Sequence, residues 1–164
     1  ALHYCARQGD LSLLRVLVER LQKPVDDVDS KAATPLMVAV QWNRNAVVQY
    51  LLNKGASVHA QDKKGWTVLH HAILRKGEDV DLLRSLLERG ANVNATNNDK
   101  ETPLHFTAKY LYNMKNMAEV LLSGGADIEA RDIAGRSPLW LAMQKRKYDI
   151  VELLLKNKAK VDDT

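Results

Sequence analysis

Three histidines, one cysteine and a run of aspartates are the residues here whose types could do chemistry. His3, His70 and His105 each stand in an apolar stretch: "ALHYCA", "TVLHHA" and "TPLHFT". An imidazole so placed can move a proton near neutral pH or ligate a metal. Cys5 could attack a substrate if a base stood beside it, but the sequence places none. Asp26, Asp27 and Asp29 loosely echo a calcium loop in "PVDDVD". Such a loop also needs a glycine at its turn and a terminal Glu, and both are missing, so a solvated turn is expected. Gly124-Gly125 lacks the further glycines and the Lys-Ser/Thr pair of a phosphate loop. "NAT" at Asn94 is a glycosylation acceptor by pattern.

The elements that must position these residues recur along the chain. "TPLMVA" starts at Thr34, "TVLHHA" at Thr67, "TPLHFT" at Thr102 and "SPLWLA" at Ser137, at spacings of 33, 35 and 35. A truncated copy opens the chain, its Leu2 lying 34 residues before Leu36. Each Thr or Ser can cap a helix with its hydroxyl. Pro35, Pro103 and Pro138 follow at the first helical position, where a missing N–H costs nothing. Leu36, Ala39 and Val40 mark the buried face of a short first helix. Val47, Val48, Leu51 and Leu52 have the spacing of a buried stripe on a second. Paired leucines close each unit, and Gly55, Gly90 and Gly125 supply left-handed helix ends. A single helix pair cannot bury its apolar face, whereas stacked pairs can.

The copies differ in informative places. The first has Leu21 where glycine is expected and one additional residue in "QKPVDDVD", which predicts a distorted turn. The third and fourth carry about two additional residues between their helices, in "LRKGEDVDLL" and "YLYNMKNMAE". The fifth has Lys158 in place of the glycine.

In these motifs the chain resembles the ankyrin repeat family, whose unit is about 33 residues with a T-P-L-H-x-A stretch, a β-turn and two helices. The resemblance implies an all-α, ankyrin-repeat α-solenoid of helix-turn-helix units joined by β-hairpin turns. It implies a single domain over residues 1–164, with repeats at 1–28 (truncated), 29–61, 62–96, 97–131 and 132–164. Ala1 falls inside a motif, so the chain reads as a piece of a longer protein. The motif histidines become structural: stacked copies stand roughly 10 Å apart, too far to share one metal. Cys5 takes the small buried position of the motif. His71, next to His70, should point elsewhere and be exposed. The resemblance also makes Asn94 a candidate for asparaginyl hydroxylation.

Composition narrows the function classes. Hydrophobic residues make up 46% of the 164, enough for a packed core. Formal net charge is +4, too weak to argue nucleic-acid binding alone. The segment from Arg131 to Thr164 holds eight Lys/Arg against five Asp/Glu, read as a solvated face, the alternative being contact with an acidic partner or a membrane surface. No apolar run is long enough for a transmembrane span. The single cysteine rules out an internal disulfide and a cysteine zinc cluster.

The family's hairpin tips and first helices line a concave surface that grips proteins, and register carries this surface onto specific residues. They are Gln41 and Trp42, then Lys63, Lys64, Trp66 and Arg75, then Lys109 and Tyr110, then Arg136. Trp42, Trp66, Arg75 and Tyr110 are the expected anchors, because Trp, Tyr and Arg dominate binding hot spots. Asp99 and Glu101 beside Lys63 and Lys64 suggest a partner with charges of both signs. Trp140 replaces the motif histidine and should be packed.

The implied function is recognition of a protein or peptide, without catalysis, metal or cofactor, by a monomeric domain in the cytoplasm, the nucleus or on the cytosolic side of a membrane protein. The alternative is a regulatory or substrate-recruiting part of a larger enzyme, channel or ubiquitin ligase. A minor alternative is a nucleotide sensor that stacks a base on Trp66 beside Lys63, Lys64 and Arg75.

Overall fold

A computed structural model describes residues 1–75, 77–110 and 114–161. Among the described residues the elements are helices joined by turns, without strands. In order they are α1 (Leu2–Gln8), α2 (Leu11–Arg15), α3 (Pro35–Gln41), α4 (Asn45–Asn53), α5 (Val68–Leu74), α6 (Val80–Glu88), α7 (Pro103–Lys109), α8 (Lys115–Ser123), α9 (Pro138–Gln144) and α10 (Tyr148–Lys156).

The expected caps start the first helices. The Thr34 hydroxyl accepts from the Met37 N–H at 3.3 Å, and Ser137 Oγ from the Trp140 N–H at 3.1 Å. Pro35, Pro103 and Pro138 open α3, α7 and α9. The second helices end where glycine permits positive φ: Gly55 at +81°, Gly90 at +86° and Gly125 at +88°.

The chain divides into two compact units, residues 1–76 and 77–164. In the first, α1, α3 and α5 stack side by side, with α2 and α4 packed behind α1 and α3. Its core is Leu14, Leu36, Met37, Val40, Val47, Leu51, Leu69 and Ile73. In the second, α7 lies on α9, and α6, α8 and α10 form the other layer. Phe106, the sole Phe, is fully buried there with Leu83, Leu86, Leu104, Met117 and Leu121.

The distortion expected near Leu21 takes a specific form. The extra residue is absorbed as a π-helical turn over Val16–Arg20. Gln22, not Leu21, takes the left-handed position, at φ +50°. The Lys23 N–H reaches back to the Leu17 carbonyl at 3.0 Å, six residues away; Ala56 reaches Leu51 at the same distance, five away. Leu17 therefore stays in the core, and the added length bulges outward. The insertions expected in the third and fourth copies lie in part outside the described residues, at 76 and 111–113.

The crossings between repeats share one turn. Asp29, Asp62, Asn97 and Asp132 each begin it, and each N–H donates to the carbonyl four residues on, at 3.0 to 3.1 Å. Their Oδ1 atoms accept from the N–H groups two and four residues ahead, at 2.8 to 3.0 Å. The third residue ahead is left-handed: Ala32, Gly65, Lys100 and Gly135 have φ of +57°, +73°, +57° and +77°. These are hairpin tips closed by an Asx turn.

Candidate functional site

The first unit carries a groove of about 630 Å³ between its hairpin tips and the exposed side of α1 and α3. Gln41, Trp42, Lys64 and Trp66, all expected from register, line it together with Arg7, Lys31, Asp29, Asp62 and His71. Trp42 ends α3 and is 43% exposed, a large apolar area to leave in water. The Arg7 guanidinium stands 4.4 Å from the centre of its indole. Trp66 sits on the next tip, half-buried, with the Lys64 ammonium 4.7 Å from its ring centre. Both contacts are cation–π pairs.

Beneath Trp66 the structure corrects one expectation. His71 is buried, 7% exposed, with its ring edge-on to the Trp66 indole at 5.5 Å and its Nε2 3.1 Å from Asp62 Oδ2. Burial lowers its pKa, against the opposing pull of Asp62. The reason is tertiary: the tip folds back over α5, so a position that helical register sends to solvent is roofed by Trp66 and Asp62. His71 was missed as part of the site because this contact spans nine residues across a turn.

Arg75 also differs from its expected exposure. It is 6% exposed at the extended end of α5, and its Nη2 lies 3.5 Å from Asn45 Oδ1 on α4. Lys63 is exposed; its backbone N–H donates to the Lys31 carbonyl at 2.9 Å, tying one tip to the next.

In the second unit the expected residues are held by local partners. Lys109 Nζ is 2.6 Å from Glu101 Oε1, and Glu101 is only 2% exposed. Asn97 Nδ2 donates to the other Glu101 oxygen at 3.0 Å. Arg136 makes two bonds to Asp132 Oδ2, at 2.7 and 2.8 Å. Its guanidinium carbon also lies 5.7 Å from the half-buried Trp140 ring. Tyr110 is half-buried, its ring tilted against Phe106 at 5.2 Å. Asn94 is exposed, yet its side chain bridges repeats: Nδ2 donates to the Gly125 carbonyl at 3.1 Å, and Oδ1 accepts from the Asp127 N–H at 2.7 Å.

The groups that could have signalled catalysis are structural. His105 and His70 are fully buried, and each Nδ1 accepts from the N–H of the capping threonine at 3.1 Å. His3 Nε2 meets the Ala33 carbonyl at 2.8 Å. Cys5 is buried, and burial pushes its thiol pKa up, away from the reactive thiolate. Among the described residues no three His, Cys, Asp or Glu side chains gather as metal ligands. No helix among them is long and apolar enough to cross a membrane.

Comparison with known proteins agrees with this architecture. Residues 2–97 and 69–164 match the family profile described as ankyrin repeats (3 copies). Ankyrin repeat domain-containing protein 53 of Homo sapiens is 40% identical over 76 residues, 44% of this chain and 14% of that protein. Transient receptor potential cation channel subfamily A member 1 of Homo sapiens is 36% identical over 73 residues, 43% of this chain and 6% of the channel. Alpha-latrotoxin-Lh1a of Latrodectus hasselti is 40% identical over 74 residues, 45% of this chain and 5% of the toxin. The chain thus spans between 5% and 14% of the length of these curated relatives. With both profile matches running through its helix pairs, capping threonines and buried histidines, the chain belongs to the ankyrin repeat family, whose repeats are protein–protein interaction modules.

Proposed function

We propose that this chain binds a partner protein or peptide through its hairpin tips and first helices, with Trp42 and Trp66 as anchors. The observation that most supports this is the groove of the first unit, lined both by Trp42, 43% exposed at the end of α3, and by Trp66 on a hairpin tip. Trp is enriched among binding hot spots, so an indole left open to solvent in a groove supports a binding role. Gln41, Lys63 and Lys64 complete the contacts of the first unit. Lys109, Tyr110 and Arg136 offer those of the second, while Arg75 acts by fixing the end of α5. The mechanism is rigid display, in which a preformed surface loses little conformational entropy on binding. The domain works as a monomer without catalysis or a cofactor, in the cytoplasm, the nucleus or on the cytosolic side of a membrane protein.

A second reading is supported by the similarity to a short segment of a cation channel. In it, the repeats recruit or regulate on behalf of a longer protein, and the same surface does the binding.

The test is affinity capture with the wild-type chain and with Trp42→Ala/Trp66→Ala, after matching their melting temperatures. Proteins captured by the wild type and lost with the double variant support the reading. An identical captured set from both baits overturns it.

A further inference from the structure

We propose that the groove of the first unit takes an acidic peptide: an extended segment that sets an apolar side chain against Trp42 and Trp66 and carboxylates against Arg7, Lys31 and Lys64. The inference rests on the groove being the binding site and adds the chemistry of its occupant.

The charges lining the groove do not balance. Three cations, Arg7, Lys31 and Lys64, face two carboxylates, Asp29 and Asp62. Both carboxylates are already engaged. Asp29 Oδ1 accepts from Lys31 N–H at 2.8 Å and Ala33 N–H at 3.0 Å. Asp62 Oδ1 accepts from Lys64 N–H at 2.8 Å and Trp66 N–H at 3.0 Å, and its Oδ2 contacts His71 at 3.1 Å. Closing the tips directs these acids into the backbone. Among the described residues, none of the three cations is within ion-pair distance of a carboxylate.

Two of the cations are also held in place. Arg7 rests on the Trp42 indole at 4.4 Å and Lys64 on the Trp66 indole at 4.7 Å. A guanidinium stacked on a ring keeps its fork of donors free at the edge, the geometry that receives a carboxylate in two parallel bonds. The indole beside each cation, exposed at Trp42 and half-buried at Trp66, gives an apolar neighbour its contact. The groove therefore calls for anionic and apolar groups on one short chain.

The second unit supplies the contrast. Two basic residues of its expected surface are already neutralised, Lys109 by Glu101 at 2.6 Å and Arg136 by Asp132 at 2.7 Å. Glu101, expected to add exposed acidity, is 2% exposed and spent on Lys109. The first unit's groove thus gathers three cations without a carboxylate partner among the described residues, and the segment that fills it need not carry both signs. A nucleic acid also offers negative charge and stacking surfaces. Three cations in a chain of net charge +4 fall short of the basic stripe on which that mode relies, so a peptide is favoured.

The test is selection from a random peptide display library on the full chain, discarding peptides that also bind Trp42→Ala/Trp66→Ala. Circular dichroism melts first establish that each variant is folded. The expected peptides carry Asp or Glu around a Leu, Phe or Tyr. Their affinity should fall about tenfold in Lys31→Ala/Lys64→Ala and weaken further as salt rises. Selection on Lys31→Glu/Lys64→Glu should return basic peptides instead. Neutral or basic peptides from the wild type, or acidic ones indifferent to these substitutions, overturn the inference while leaving the groove as a binding site. Failure to recover any peptide that depends on the tryptophans removes the groove reading itself, and this inference with it. A single-stranded oligo-dT probe that binds more tightly than the selected peptides, with the same dependence on Lys31 and Lys64, overturns it in favour of nucleic acid.

Discussion

His105 joins two repeats through one ring: its Nδ1 accepts from the Thr102 N–H at 3.1 Å, and its Nε2–H donates to the Arg136 carbonyl at 3.0 Å. The tautomer is assigned by this network, since a backbone N–H can only donate and a carbonyl can only accept. Because the side chain is fully buried, His105→Ala leaves a cavity and two unsatisfied backbone groups. The expected loss is about 2 to 4 kcal/mol of stability, read as the change in urea unfolding free energy. A loss below about 0.5 kcal/mol would show that the bridge does not hold the repeats together.

Burial also sets a pH dependence. It lowers the folded-state pKa of both His105 and His71 below the ordinary 6.5. As pH falls through 6.5, the unfolded chain takes up protons that the folded chain refuses. The contribution of these groups to stability is therefore fully present above about pH 6.5 and is lost below it, levelling off under the folded values. Urea midpoints should drop between about pH 7.5 and 5.5, and His105→Gln should make that slope shallower. An unchanged slope in the variant would assign the pH dependence elsewhere.

Asp62 carries more side-chain bonds than Asp29, the other residue that opens a tip in the first unit. It accepts from Lys64 and Trp66 N–H groups and meets His71. Asp62→Ala should cost about 2 to 3 kcal/mol and loosen Trp66, visible as a shift in tryptophan fluorescence. Asp62→Asn should cost less, because Asn97 closes its own tip with the same pair of Oδ1 bonds at 2.8 and 2.9 Å. Equal losses in both variants would mean that charge, not the turn, is what Asp62 provides.

Lys158 pays for a missing glycine. Its φ of +67° lies in the left-handed region, where Gly55, Gly90 and Gly125 stand in other repeats. Lys158→Gly should stabilise the chain by about 0.5 to 1 kcal/mol. Gly55→Ala should destabilise it by about 1 kcal/mol through backbone strain alone, since an added Cβ meets nothing within 4 Å. Thermal melts of the two variants moving in the same direction would contradict this.

Much of the scaffold was legible because it is written locally and repeated. Thr34, Pro35 and Gly55 act within one helix turn of their own positions, so periodicity finds them. The tips left a recurrent mark too: Asp29, Asp62, Asn97 and Asp132 are spaced 33, 35 and 35 apart, and an Asx residue at that step signals a turn organiser. His71, Arg75 and Glu101 were not legible. Their burial comes from a tip folding over a helix, from Asn45 one repeat away, and from Lys109 eight residues on. Helical register predicts which face a residue occupies, but not what later covers it. The extra residue near Leu21 was visible as a length; its absorption by a π-turn, which moves the left-handed position to Gln22, depends on Leu17 keeping its place in the core.

The tips are joined by main chain: Lys63 N–H to the Lys31 carbonyl at 2.9 Å in the first unit, and Ile133 N–H to the Asp99 carbonyl at 2.8 Å in the second. Such a link is indifferent to the side chains it carries. It works as a ruler whose graduations stay fixed while the labels on them change. A tip lysine can become a glutamate or a tryptophan over evolutionary time without altering the step to its neighbour. Recognition can drift residue by residue on such a frame, and a designer could rewrite the tip residues beside each link with the spacing already supplied.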